Sequence, residues 1–303
     1  MLNNILSLGA IGFVLSFLSP AAWADTRNTA RPGTLNYVEG QVRIGPKELG
    51  SADMGKTEVG PGQTVQTGAG KAEILLTPGT FLRLGSNSSV RMISPGLTET
   101  RVQVVNGRAM VESTALSKQS DIRIAQNGAL TRVLKDGVYE FDADRANVRV
   151  FDGKAEVMQD DQKVDLKKGR EAELTSGPLK ADKFDRKASE DDLYKWSSAR
   201  SEYLAEANAA SVRAYVVNPV SPWYGSGWYW NPWYSTWSFM PGNGLFYSPF
   251  GYGFYSPRYY YTRPVIVAPR RPVIVQRSAP ALRAAPTSPM SRGMSRGMYR
   301  RGR

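Results

Sequence analysis

Neither cysteine nor histidine occurs in the 303 residues of this chain. The first absence excludes disulfide frameworks, thiolate nucleophiles and Cys-based zinc sites. The second removes the ordinary general base of neutral pH and the commonest metal ligand. Acidic residues are missing from one region only. From Ala214 to Arg303 there are 11 Arg but no Lys, Asp or Glu, whereas the rest of the chain sets 28 bases against 27 acids. The formal charge of +12 therefore belongs almost wholly to the tail. No Gly-rich phosphate loop, zinc spacing or calcium loop is present, and Gln159-Asp160-Asp161-Gln162 has the makeup of a solvated hairpin tip. With no local constellation for serine–lysine or paired-carboxylate chemistry, a non-enzymatic protein with no cofactor and no metal is expected.

The chain opens on an apolar run from Ile5 to Leu18, followed by Pro20 and the small-residue signature Ala22-Trp23-Ala24 before Asp25. This is the layout of a secretory signal peptide over residues 1–24, although its n-region lacks Lys and Arg. The run is shorter than the roughly 20 residues that span a bilayer, and no second apolar run of 18 or more follows. Export to the periplasm, outer envelope or extracellular space is expected, with residues 25–34 as a flexible lead.

Residues 68–84, Gly-Ala-Gly-Lys-Ala-Glu-Ile-Leu-Leu-Thr-Pro-Gly-Thr-Phe-Leu-Arg-Leu, alternate apolar and polar side chains around Pro78-Gly79. That is strand, turn, strand. Short alternating runs divided by glycine turns continue over 35–174 and predict an all-β domain, an elongated β-sandwich or flattened β-solenoid. A unit of hydrophobic-x-Gly-x-hydrophobic-x-hydrophobic recurs around Gly40, Gly107 and Gly153, and a second around Gly62 and Gly169. In each, a two-residue turn ending in Gly is expected to feed a strand, which suggests two similar hairpin modules at 37–67 and 148–174. Ser189, followed by Glu190, Asp191 and Asp192, is expected to cap a helix over 190–211, amphipathic through Leu193, Trp196, Tyr203, Leu204 and Ala207.

The stretch 68–84 resembles the core of the FecR domain family, and the likeness extends over about Leu35–Leu174. Val105-Asn-Gly107-Arg-Ala109, Asp136-Gly137-Val-Tyr-Glu-Phe141, Phe151-Asp-Gly153-Lys-Ala-Glu-Val157 and Leu166-Lys-Lys-Gly169-Arg-Glu-Ala172 support it. The chain departs from the family pattern at two turns, with Pro78-Gly79 where Asp-Gly is frequent and Ala125-Gln126 where Thr-Pro is frequent. The family's founding members are transmembrane regulators of sigma factors that relay iron–siderophore signals. They place a cytoplasmic segment and a membrane helix before the domain. Here a signal peptide stands in that place, so the resemblance implies an exported, stand-alone FecR-domain protein that does not itself hold a sigma factor.

Residues 215–261 hold 5 Trp, 10 Tyr and 4 Phe among Gly, Pro, Ser and Asn, and two Arg-Pro-Val-Ile-Val and two Ser-Arg-Gly-Met repeats follow. Composition predicts a largely unstructured low-complexity tail over 215–303. Trp223, Trp228, Trp230, Trp233 and Trp237, with Arg270 and Arg271, are the candidate surface-binding residues. Indole rings suit sugar faces and lipid headgroup interfaces, and guanidiniums suit anions. The partners expected are envelope polysaccharide, an anionic lipid surface or an envelope protein, with self-association through the tail as a further outcome. Export makes nucleic acid no physiological ligand. The alternative role is a sensor or regulator in envelope signalling.

Overall fold

Thr77-Pro78-Gly79-Thr80 turns β3 (Thr64–Thr77) directly into β4 (Thr80–Leu84), with Thr77 opposite Thr80 and Ala72 opposite Leu84. This confirms the strand pair read from residues 68–84. The computed structural model of the protein describes residues 30–217 and 225–262. Before β3 come β1 (Leu35–Ile44) and the short β2 (Lys47–Leu49). After β4 follow β5 (Ser89–Pro95), β6 (Glu99–Asn106), β7 (Arg108–Ser113), β8 (Asp121–Gln126) and β9 (Ala129–Val133). The domain ends with β10 (Gly137–Asp142), β11 (Asn147–Asp152), β12 (Lys154–Gln159), β13 (Gln162–Lys167), β14 (Arg170–Glu173) and β15 (Asp182–Lys183).

All 15 strands belong to one sheet, and 13 of them follow the path β13-β12-β9-β8-β6-β5-β3-β4-β7-β10-β11-β14-β15. The two layers expected of a sandwich are two halves of this one curled sheet. Strand β3 bridges them: Thr64–Gln66 pair with β5, whereas Ala72–Thr77 pair with β4. Strand β1 follows the same bend through a register shift between Gly40 and Val42. The curl brings β13 at one end back beside β11 and β14 near the other. Ile74, Leu82, Val104, Val111, Ile124, Tyr139 and Val157 fill the interior as one continuous core. Period-2 alternation thus places one set of side chains inside the roll and the other on its outer face.

The recurrent glycine unit has a different role from the hairpin turn expected of it. Gly107 links β6 to β7 and Gly153 links β11 to β12, yet neither pair of strands is hydrogen-bonded together. Each glycine is a corner where the chain passes from one half of the sheet to the other. The corners need positive φ, +70° at Gly107 and +99° at Gly153. A Cβ there would come within 2.4 Å of Ser88 Oγ and 2.2 Å of Tyr139 Oη, respectively. Gly40 lies within β1 at its bend, so this occurrence is a bulge.

Beyond the sheet, α1 runs over Asp192–Val217, beginning and ending later than the expected 190–211. Its cap is Asp191 in place of Ser189: the Asp191 carboxylate accepts from the amides of Leu193 and Tyr194 at 2.9 and 3.1 Å. The face turned inward carries Leu193, Ser197, Arg200, Ser201, Leu204 and Asn208, while Trp196 and Tyr203 are half-buried. The composition-based expectation of an unstructured tail fails for residues 225–262. They form a hairpin of β16 (Gly227–Asn231) and β17 (Thr236–Met240), a hairpin of β18 (Leu245–Tyr247) and β19 (Gly253–Tyr255), and a terminal turn of helix α2 (Pro257–Thr262). Apolar contact with the sheet and α1 supplies the order that local propensity lacks. Trp228, Trp237, Phe239 and Phe254 pack with Leu75, Phe81 and Leu204 as a second core. No helix of the described residues is long and apolar enough to cross a membrane.

Candidate functional site

The outer face of β3, β4 and β7 carries an ionic cluster that the cap formed by α1 and the hairpins buries completely. Glu73 sits opposite Arg83, and Glu112 lies opposite Phe81 on the next strand, so the three charges share one face. Arg83 is the hub. Its Nε donates to Glu73 at 2.8 Å and its Nη1 to Glu112 at 2.5 Å. The second cation comes from the cap: Arg200 Nη2 donates to Glu73 at 2.9 Å, with its guanidinium 4.1 Å above the Tyr37 ring. Ser201 Oγ donates to Glu112 at 2.7 Å, and Asn36 Nδ2 donates to Glu73 at 2.9 Å. Two carboxylates against two guanidiniums leave the cluster neutral, which permits burial.

The two carboxylates are held unequally. Burial pushes the Glu73 carboxyl up, but Arg200 and Arg83 outweigh it and hold the value down at about 2. Glu112 has one guanidinium, the Ser201 hydroxyl and a longer contact from Thr114 Oγ1 at 3.5 Å, and burial pushes its carboxyl above the usual range against the pull of Arg83. Removing either guanidinium would strand a buried carboxylate, at a typical cost of about 3–5 kcal/mol. The cluster therefore makes the cap and the sheet interdependent. Glu73, Arg83 and Glu112 are fully buried and Arg200 is 6% exposed.

Further contacts fasten the cap around this cluster. Asn36 binds the hairpin from the sheet side, accepting from the Trp237 amide at 2.9 Å and donating to its carbonyl at 3.1 Å. Asn208 of α1 holds both hairpins, donating to Phe239 O and Tyr255 O at 3.0 Å and accepting from the Tyr255 amide at 2.7 Å. At the other end of the helix, Arg108 bonds to Asp191 and Asp192. It lies 3.9 Å from the buried Glu140, and Arg149 is 3.7 Å from the same carboxylate. Burial, reinforced by the Asp191 charge, pushes the Glu140 carboxyl up to about 7.

The candidate tryptophans divide. Trp228 and Trp237 are only 5% and 4% exposed and belong to the second core, so neither ring is presented to a ligand. Trp237 Nε1 donates to Gly55 O at 2.9 Å, and the Trp230 ring lies so close to Gly55 that a Cβ there would meet it at 2.4 Å. Trp230 remains 40% exposed and Trp233, in the turn after β16, 73% exposed. Trp223, Arg270 and Arg271 lie outside the described residues, as do the expected signal peptide at 1–24 and residues 263–303. The cluster itself escaped sequence reading because Glu73 and Arg83 occupy the positions that alternation assigns to solvent. A usable signal was present: Ser197, Arg200, Ser201 and Asn208 fall at helical spacing on the face that Leu193 and Leu204 mark as inward.

Comparison with known proteins finds one family, described as FecR protein, matching residues 63–156. The match begins just before β3 and ends within β12, so it contains Glu73, Arg83 and Glu112 but not Arg200 or Ser201. No curated protein matches the chain. Two crystal structures of a candidate anti-sigma factor from Parabacteroides distasonis ATCC 8503 are similar, at 1.65 and 2.50 Å resolution. They are 16% and 17% identical to this chain over 46% and 44% of its length, with TM-scores of 0.36 and 0.34. The chain spans 64% and 61% of those structures.

Proposed function

With a FecR domain at residues 63–156, we propose that this chain is a non-enzymatic signalling regulator of the FecR type. The family domain is the observation that carries the reading. Its strands are the ones that bear the buried ionic cluster, so in this chain the regulatory domain is completed by a helix and aromatic hairpins from outside the family region. Such a unit acts by contact: it holds a shaped, stable surface to another protein. The signal-peptide layout of residues 1–24 supports a contact made outside the cytoplasm.

The test is transcript profiling of a strain lacking the gene, under iron limitation and under envelope stress, with wild-type complementation. A defined set of genes that changes on deletion and returns on complementation is the expected result. An unchanged transcriptome under both conditions overturns the regulator reading. Envelope binding by the tail is a second reading, supported by the exposure of Trp233, and a W233A variant that loses binding to isolated envelope while folding normally would favour it.

A further inference from the structure

Part of the outer face is left uncovered by the cap, and among the basic residues carried on strands β5–β12 themselves Arg91 differs from the rest. Along β5–β12, the cations Arg101, Arg123, Arg132 and Lys154 each have a carboxylate within 2.9, 2.6, 2.8 and 2.7 Å. Arg108 and Arg149 are paired as well. Arg91 on β5 is exposed and has no carboxylate partner among the described residues. It lies in an open groove of about 730 Å³ between the β1–β2 turn and β6. Gln66 and Gln103 flank it, and Ile44, Pro46 and Val105 supply apolar rims. No acidic side chain lines this groove. The neighbouring groove shares Gln66 and Ser89 and contributes Arg43, whose cross-strand neighbour is Glu48.

We propose that this groove binds an extended acidic segment of a partner polypeptide, with one carboxylate seated on Arg91. The guanidinium offers a planar pair of donors that matches a carboxylate. The two glutamine amides on either side each provide a donor and an acceptor, the pairing a peptide backbone needs. Val105 is 51% exposed, and together with Ile44 and Pro46 it would be covered by apolar side chains of the segment. An acidic glycan fits less well, because no aromatic ring lines the groove to stack on a sugar face. The proposal deepens the regulator reading by assigning the surface through which the partner is held.

The experiment uses the full mature chain and ten-residue Thr/Val peptides carrying a central Glu or a central Gln. Binding is followed by backbone amide shifts in an isotope-labelled sample and by fluorescence anisotropy. The Glu peptide is expected to shift Gln66, Arg91 and Gln103, to bind at least tenfold more tightly than the Gln peptide, and to weaken with salt. R91E should abolish the difference and R91K should retain part of it, since lysine keeps the charge without the planar fork. Equal binding of the two peptides, indifference to R91E, or capture of polygalacturonate in preference to peptide would each overturn the proposal. The deletion strain separates the two readings. If R91E restores the transcript pattern fully, the groove is not the signalling contact and the regulator reading stands.

Discussion

Glu140 lies buried between the Arg108 and Arg149 guanidiniums, with Asp191 and Asp142 as neighbouring like charges. Its folded-state value of about 7 exceeds the ordinary carboxyl value of 4.5, so the native state binds this proton more strongly than the unfolded chain does. The stability it contributes is fully present below about pH 4.5, falls as pH rises toward 7, and is absent above. The size of the shift corresponds to roughly 3 kcal/mol. E140Q should flatten this part of the pH profile, measured as urea unfolding free energy between pH 4.5 and 8. Glu112, also raised, keeps its own slope in both proteins, so the difference between them isolates Glu140. Glu73 titrates in a lower window, near pH 2–4.5, where protonation would cost stability instead. Identical pH profiles for E140Q and wild type would show that the carboxyl is not perturbed in the native state.

At the scale of elements, the strands were legible because their alternation is strict: Ala72, Ile74 and Leu76 all face the core as expected. The helix was legible in place but not in character. Its inward face mixes Ser197, Arg200, Ser201 and Asn208 with leucines, and Arg200, Ser201 and Asn208 make sense only against Glu73, Glu112 and the hairpins. The hairpins were not legible. Pro, Gly and Ser between aromatics predict an unstructured chain, and only the apolar face of Leu75 and Phe81, more than 140 residues earlier, gives the rings somewhere to pack. Among the polar contacts that register these hairpins on the helix, which include Asn231 to Ala207 O and Ser238 to Leu204 O, Asn208 is one that holds both hairpins. N208A would leave the Phe239 and Tyr255 carbonyls and the Tyr255 amide without their side-chain partner, at about 1–3 kcal/mol per unsatisfied buried group. The expected result is faster amide hydrogen exchange at Tyr255 with little change in the interior of β6 and β8. Uniform acceleration across the sheet, or none, would contradict this placement.

For the whole molecule, the cap is part of the fold. A chain ending at Val217 would uncover Leu75 and Phe81 and leave Trp237's contacts with Asn36 and Gly55 unmade. It should bind hydrophobic dyes, unfold at lower denaturant and aggregate more readily than the full chain. Unchanged midpoint and dye binding would show that the hairpins are dispensable. A truncation that loses envelope binding is therefore no evidence that the tail binds envelope. Single replacement of the exposed Trp233 is the informative variant, because the buried Trp228 and Trp237 report on folding.

The pairing of Asn36 with Trp237 spans 201 positions of sequence. Nearly the entire chain must therefore leave the ribosome, and on an export route the translocation channel, before this contact can close. Until then Glu73, Arg83 and Glu112 remain hydrated, and the rolled sheet lacks the elements that exclude water from its outer face. Maturation is consequently a late event governed by long loop closure and is expected to be slow. During that interval the unfinished face is open to chaperones and proteases. The aromatic hairpins, late to arrive, decide whether the protein persists.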